Sequence, residues 1–176
     1  NVKLKNIAVM SGPNHAEEIV LSKATASVIA SSNKDFRKGL QHLLSTSSFR
    51  IYTSDDLIGV QIGGAVKNVI AIASGLCVGL NLGDNTQAAL VSRGMNEIVK
   101  LSNIYNININ TLYGLSGLGD LVATCYSEHS RNREFGKLIS EGHSLDDSNK
   151  VIGMVSEGIN SCKILNSIID TNKLDM

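Results

Sequence analysis

The stretch L-I-G-V-Q-I-G-G-A-V-K-N-V-I-A-I-A-S-G-L-C-V-G-L, Leu57 to Leu80, decides how this chain folds. It carries one formal charge, Lys67, and no proline, and it is too long for a strand, so it reads as a single apolar helix. An ammonium in such a helix is costly unless something answers it. Lysine is also a residue whose proton affinity responds readily to burial, which suits it to acid/base work. On a helix its stem leans back over the residues three and four before it, here Gly64 and Gly63. Two interior glycines cost about 1.5–2 kcal/mol relative to alanine, so they need a reason. Two reasons stay open. The bare backbone leaves room for a small molecule beside the ammonium, or the glycines let helices pack closely while Lys67 snorkels to the surface.

The same stretch is long enough to span a bilayer and contains the spacings Gly59/Gly63 and Gly75/Gly79. Gln61, Lys67, Asn68 and Ser74 oppose that reading, since lysine alone costs about 2.5–3.5 kcal/mol at a membrane centre. No basic cluster flanks the stretch, and Asp55, Asp56 and Asp84 bracket it. The expectation is a core helix with no membrane insertion.

Ahead of this helix, short β and α pieces alternate. Ile7 to Met10 is apolar and stops at the breaker Ser11-Gly12-Pro13. Asn14 is placed to cap a helix running through Ser22, with Glu17 and Glu18 in its first turn. Ala26 to Ala30 is strand-like, and Asn33 opens an amphipathic helix with Phe36, Leu40, Leu43 and Leu44 on one face. Phe49 to Thr53 alternates as a strand. Residues 1–54 therefore read as the end of a βαβ sheet, and 55–176 as helical, with helices expected near Asp84–Leu101, Ser130–Ile139 and Ser156–Ile169.

The totals bound the function. A chain of 176 residues can bury roughly 70% of its unfolded surface without staples. With only 4% aromatic residues, its core must be largely aliphatic. Sixteen basic and sixteen acidic side chains cancel, which argues against a nucleic-acid or anionic-membrane partner. Cys77, Cys125 and Cys162 are odd in number and widely spaced, a pattern of a reducing, cytoplasmic compartment. The four histidines are scattered, so no metal site is expected. No signal peptide opens the sequence, which starts without Met and reads as trimmed at the front.

Three further segments carry chemistry. In S-R-N-R-E-F-G (130–136), Ser130 as cap puts Arg131 and Arg133 in the first turn, against the helix dipole. An anion would resolve that conflict, held by backbone N–H groups, a hydroxyl and an arginine fork. An exposed basic turn paired with Glu134 is the alternative. In G-L-S-G-L-G-D (114–120), the glycines form a tight turn that places Asp120 and Thr124 at one end of a short helix. Asp120 is then either a partner for Lys67 or a plain capping residue. Glu157 follows Ser156 as a first-turn acid.

Taken together, these segments resemble soluble NAD(P)-dependent glycerol-3-phosphate dehydrogenase. S-G-P-N-H-A-E-E (11–18), Y-T-S-D-D-L-I-G-V-Q-I-G-G-A-V-K-N-V-I-A-I-A-S-G (52–75) and N-L-G-D-N-T-Q-A-A-L-V-S-R-G (81–94) carry the likeness, with G-L-S-G-L-G-D-L-V-A-T-C (114–125), S-R-N-R-E-F-G (130–136) and V-S-E-G (155–158). The resemblance implies a mainly α chain with a small α/β start: the last strands of a Rossmann-like sheet, then the helical substrate domain of the 6-phosphogluconate dehydrogenase-like type. It implies Lys67 as catalytic acid/base, aided by Asp120, and a small phosphorylated substrate held by Gly12, Asn14, Lys67, Asp120, Thr124, Ser130, Arg131 and Asn132. Ala16, Arg131, Val155 and Glu157 would meet NAD or NADP, in a cytoplasmic homodimer of phospholipid precursor synthesis. Asn14 and His15 depart from the family's usual residues. No G-x-G-x-x-[GA] occurs, so the chain resembles the middle and substrate-binding part of such an enzyme and is expected to be inactive alone. A helical dimerisation module, or a related dehydrogenase with another small substrate, is the competing reading.

Overall fold

A computed structural model of the protein describes residues 6–153 and 157–176. Three strands form one sheet: β1 (Val9–Ser11), β2 (Thr25–Ala30) and β3 (Phe49–Ser54). Helix α1 (Ala16–Val20) lies between the first two and α2 (Lys34–Leu44) between the last two. β2 and β3 run parallel with Thr25 opposite Phe49, a βαβ unit of the expected kind. β1 instead pairs antiparallel with β2, Val9 opposite Ala30, because the chain turns back through the short α1 instead of crossing the sheet. Along β3 the alternation is clean: Ile51 is buried while Arg50 and Tyr52 point outward, the guanidinium 5.3 Å from the ring centre.

Asn33 caps α2 as expected, its Oδ1 accepting from the Asp35 and Phe36 N–H groups. The apolar face of α2 is less covered than its pattern suggested, with Leu43 75% exposed. Asn14 does not cap α1. His15 holds the cap position and its side chain makes no capping bond, while Asn14 Nδ2 donates to Ser27 Oγ at 2.9 Å.

Past Ser54 the described residues are helical. The long helix α3 (Leu57–Gly79) is followed by α4 (Asp84–Lys100), α5 (Ser102–Tyr105) and α6 (Ile109–Leu112). A π-helical turn (Leu115–Gly119) leads into α7 (Asp120–Tyr126), then α8 (Arg131–Ser140), α9 (Leu145–Ile152) and α10 (Glu157–Asn172). Asp56 starts α3, accepting from Gly59 N–H at 2.8 Å through Oδ1 and from Asn108 N–H at 3.1 Å through Oδ2. Short α5 and α6, and α9, have no counterpart in the sequence reading. The capping role assigned to Ser156 lies outside the described residues.

Two compact units result, one from the chain up to Gly64 with Val99–Asp120, the other from Ala65–Ile98 with Leu121 onward. The first centres on Ile29, Ala30, Ile51, Val60, Leu101 and Leu112. The second centres on Ile70, Ala71, Met95, Ile98, Leu121 and Phe135.

α3 has the length and apolarity of a membrane span, and a third of that window is buried inside the protein. Its glycine spacing has a local explanation. A methyl on Gly75 would run into the Arg133 carbonyl, one on Gly79 into Ser140 Oγ, and one on Gly136 of α8 into the Ile72 carbonyl. Glycines on both helices thus bring the α3 and α8 backbones together, so the small residues serve a protein–protein helix crossing.

Candidate active site

In the first unit, the expected residues gather at the end of β1. Gly12 has φ +145°, a region open to glycine, and lies on the backbone of Ser27. Asp120, only 4% exposed at the start of α7, accepts a hydrogen bond from Ser11 Oγ at 3.3 Å. Ser11 is thus a site neighbour that the sequence reading passed over as part of a breaker. Gly64 faces the same hydroxyl: an added Cβ would sit 2.9 Å from Ser11 Oγ. On Gly63 it would sit 2.6 Å from the Ser116 carbonyl oxygen. Gly63 thus meets backbone, which close packing explains, while Gly64 meets only the Ser11 side chain. Asn14 is held by Ser27, and Ala16 is exposed at the first position of α1.

In the second unit, α3, α8 and α10 converge through side-chain amides. Lys67 is half-buried, and its neighbour Asn68 is 7% exposed. Asn68 Oδ1 accepts from Asn132 Nδ2 at 3.1 Å, and Asn132 Oδ1 accepts from Gly158 N–H at 3.0 Å. Ser130 caps α8 as expected, accepting from Arg133 N–H at 3.3 Å, and is itself buried. Arg131 is exposed and borders an open pocket of about 180 Å³ that Glu128 and Glu134 also line. Glu157 is exposed at the start of α10, while Val155 lies outside the described residues.

Thr124 and Cys125 on α7 are buried. Ser74 Oγ donates to the Cys125 carbonyl at 2.8 Å, which satisfies a polar group inside the unit. Burial pushes the Cys125 thiol up to about 12, against the opposing pull of the Lys67 and Arg133 charges. Arg133 Nε is buried and has no hydrogen-bond acceptor among the described residues. Arg133 is one of the two first-turn cations that the sequence places against the dipole of this helix. A buried guanidinium donor short of an acceptor, beside a serine-capped helix start, suits an oxygen-rich anion. It is also compatible with a nicotinamide dinucleotide, whose phosphates are of that chemistry.

A family model described as NAD-dependent glycerol-3-phosphate dehydrogenase C-terminus matches residues 56–176, and its N-terminus counterpart matches 1–37. The chain belongs to this dehydrogenase family. A glycerol-3-phosphate dehydrogenase (NAD(P)+) of Clostridium botulinum is 52% identical over 157 residues, 89% of this chain and 48% of the relative. One of Fusobacterium nucleatum is 51% identical over 164 residues, 92% of this chain and 49% of the relative. The crystal structure of glycerol-3-phosphate dehydrogenase from Coxiella burnetii superposes with a TM-score of 0.93 at 41% identity, over 96% of this chain and 52% of that one. The chain spans about half the length of the curated relatives it matches. For this member of the glycerol-3-phosphate dehydrogenase family, Lys67, Asp120, Ser130, Arg131 and Asn132 stand in ordered, mostly helical positions.

Proposed function

We propose that the chain supplies the substrate-binding and acid/base part of an enzyme that interconverts sn-glycerol 3-phosphate and dihydroxyacetone phosphate. The observation that carries this reading is the donor-rich start of α8, with its Ser130 cap and the buried Arg133 Nε, in a chain of this family. Ser130, Arg131 and the first-turn N–H groups of α8 hold the phosphate. Lys67 gives a proton to the carbonyl oxygen during reduction and takes it back during oxidation. Asp120 orients Lys67 or holds a substrate hydroxyl, with Ser11 fixing its carboxylate. Gly12, Asn14 and Thr124 complete the substrate side. A bound NAD or NADP supplies or takes the hydride; Ala16, Arg131, Val155 and Glu157 would hold it.

In this reading, residues 1–54 belong to a dinucleotide-binding domain and 55–176 to a helical substrate domain. The whole protein is a cytoplasmic homodimer serving glycerophospholipid synthesis. Three free thiols support the compartment, and exposed Leu80 and Leu82 between α3 and α4 offer apolar surface for self-association.

Calorimetric titration with glycerol 3-phosphate and with glycerol tests the assignment. The phosphate ester should bind at least about tenfold more tightly, a difference of one or two charge-assisted hydrogen bonds, and Arg131→Ala should erase most of it. Equal binding of glycerol, or full selectivity in the Arg131→Ala variant, would refute the phosphate site.

A further inference from the structure

The two adjacent glycines of α3 have different neighbours. A Cβ on Gly63 would meet the backbone of Ser116 and Gly117, which no side-chain rotation can clear. On Gly64, apart from its own stretch of helix, the described atoms within 4 Å are Ser11 Oγ at 2.9 Å and Ser11 Cβ at 3.8 Å. The longer distance is ordinary contact, so the obstacle to a side chain at position 64 is one hydroxyl. That hydroxyl is the one that donates to Asp120 Oδ2 at 3.3 Å. The backbones on either side of this bond are both pinned. Ser11 closes β1 opposite Val28, and Gly12 after it rests on Ser27. Asp120 starts α7 with its N–H directed to the Gly117 and Leu115 carbonyls, behind the turn that abuts Gly63. What is left free is the rotamer of Ser11, one of three staggered positions.

We infer that Gly64 is a positioning residue: its missing side chain keeps the Ser11 hydroxyl in the rotamer that reaches Asp120, whereas Gly63 serves the fold. A methyl at position 64 would turn the hydroxyl away. The Asp120 carboxylate, 4% exposed, would then lose the donor that sets its direction. This rests on the substrate reading above, with Asp120 holding a substrate hydroxyl, and it names what aims that carboxylate. The glycine is kept for the site, at the expense of helix propensity.

The parent, Gly64→Ala, Ser11→Ala and the double variant, each read by thermal unfolding and by calorimetric titration with glycerol 3-phosphate, test the inference. With the hydroxyl removed, alanine at 64 has room and keeps its helix advantage. The double variant should therefore melt about 2–4 °C above Ser11→Ala. In the parent background the displaced bond offsets that gain, and Gly64→Ala should leave the Tm within about 2 °C of the parent. Affinity should follow another pattern. Each single variant should bind glycerol 3-phosphate about fivefold more weakly, the scale of one net hydrogen bond, and the double variant no more weakly than either. Stability regained without affinity regained is a result that a purely structural glycine would not give. The same Tm gain from Gly64→Ala in both backgrounds would overturn the inference, as would parental affinity in either single variant. Losses that multiply to about 25-fold in the double variant would also overturn it. If the parent bound no glycerol 3-phosphate, the substrate reading would fall and take the site role of Gly64 with it. The unfolding cycle would still decide whether the hydroxyl is what excludes the methyl.

Discussion

Alanine at Gly39 and alanine at Gly136 should shift stability in opposite directions. Each glycine lies inside a helix, α2 or α8, where alanine gains about 1 kcal/mol of helix propensity. Around Gly39 nothing lies within 4 Å of an added Cβ, so the whole gain should be realised. At Gly136 the methyl meets the Ile72 carbonyl, and a backbone atom cannot rotate away. Overpacking of about 3 kcal/mol then outweighs propensity and leaves a net loss of about 2 kcal/mol. At about 2–4 °C per kcal/mol for a chain of this size, Gly39→Ala should raise the Tm by about 2–4 °C and Gly136→Ala should lower it by about 4–8 °C. Thermal unfolding followed by circular dichroism reads both. A Gly136→Ala protein at least as stable as the parent would refute the close α3–α8 crossing, and with it the account of the glycine spacing in α3.

Asp56→Ala removes the acceptor for both Gly59 and Asn108, so it should cost about 2 kcal/mol, the upper end for a lost helix cap, in urea unfolding. The Cys125 thiol, raised from 9.0 to about 12 by burial, is protonated in the folded state where the unfolded chain has released its proton. Its contribution is therefore fully present below pH 9.0 and is lost as pH rises towards 12, and Cys125→Ala should flatten the stability decline across that window in pH-dependent melts. The same burial should keep Cys125 silent to a thiol reagent until the protein is denatured.

Caps and periodicity were legible before any coordinates. Asn33 and Ser130 stand at the helix starts where their side chains are used, and Asp56 opens the long helix that the apolar run demanded. Asn14 had the same local credentials but gave its amide to Ser27 on the neighbouring strand, a partner that no local rule identifies. The glycine pair was ambiguous for the same reason, since the atoms that fill Gly63 belong to Ser116, far along the chain. One miss was avoidable. Ser144 caps α9, its Oγ accepting from Asp147 N–H at 3.1 Å and donating to Asp147 Oδ2 at 2.7 Å, and that spacing is visible in the sequence. The amide chain from Asn68 to Gly158 was not visible, because it joins three segments whose proximity only the packed helices create.

The most direct test concerns Lys67. A chimera of a whole-length relative, carrying this chain in place of its own matching half, should reduce dihydroxyacetone phosphate with a nicotinamide cofactor. Lys67→Met in that chimera should lower kcat by about 10²–10⁴-fold, the usual worth of a positioned acid/base, while glycerol 3-phosphate affinity stays within about threefold. A Lys67→Met chimera that turned over as fast as its parent would contradict the assignment.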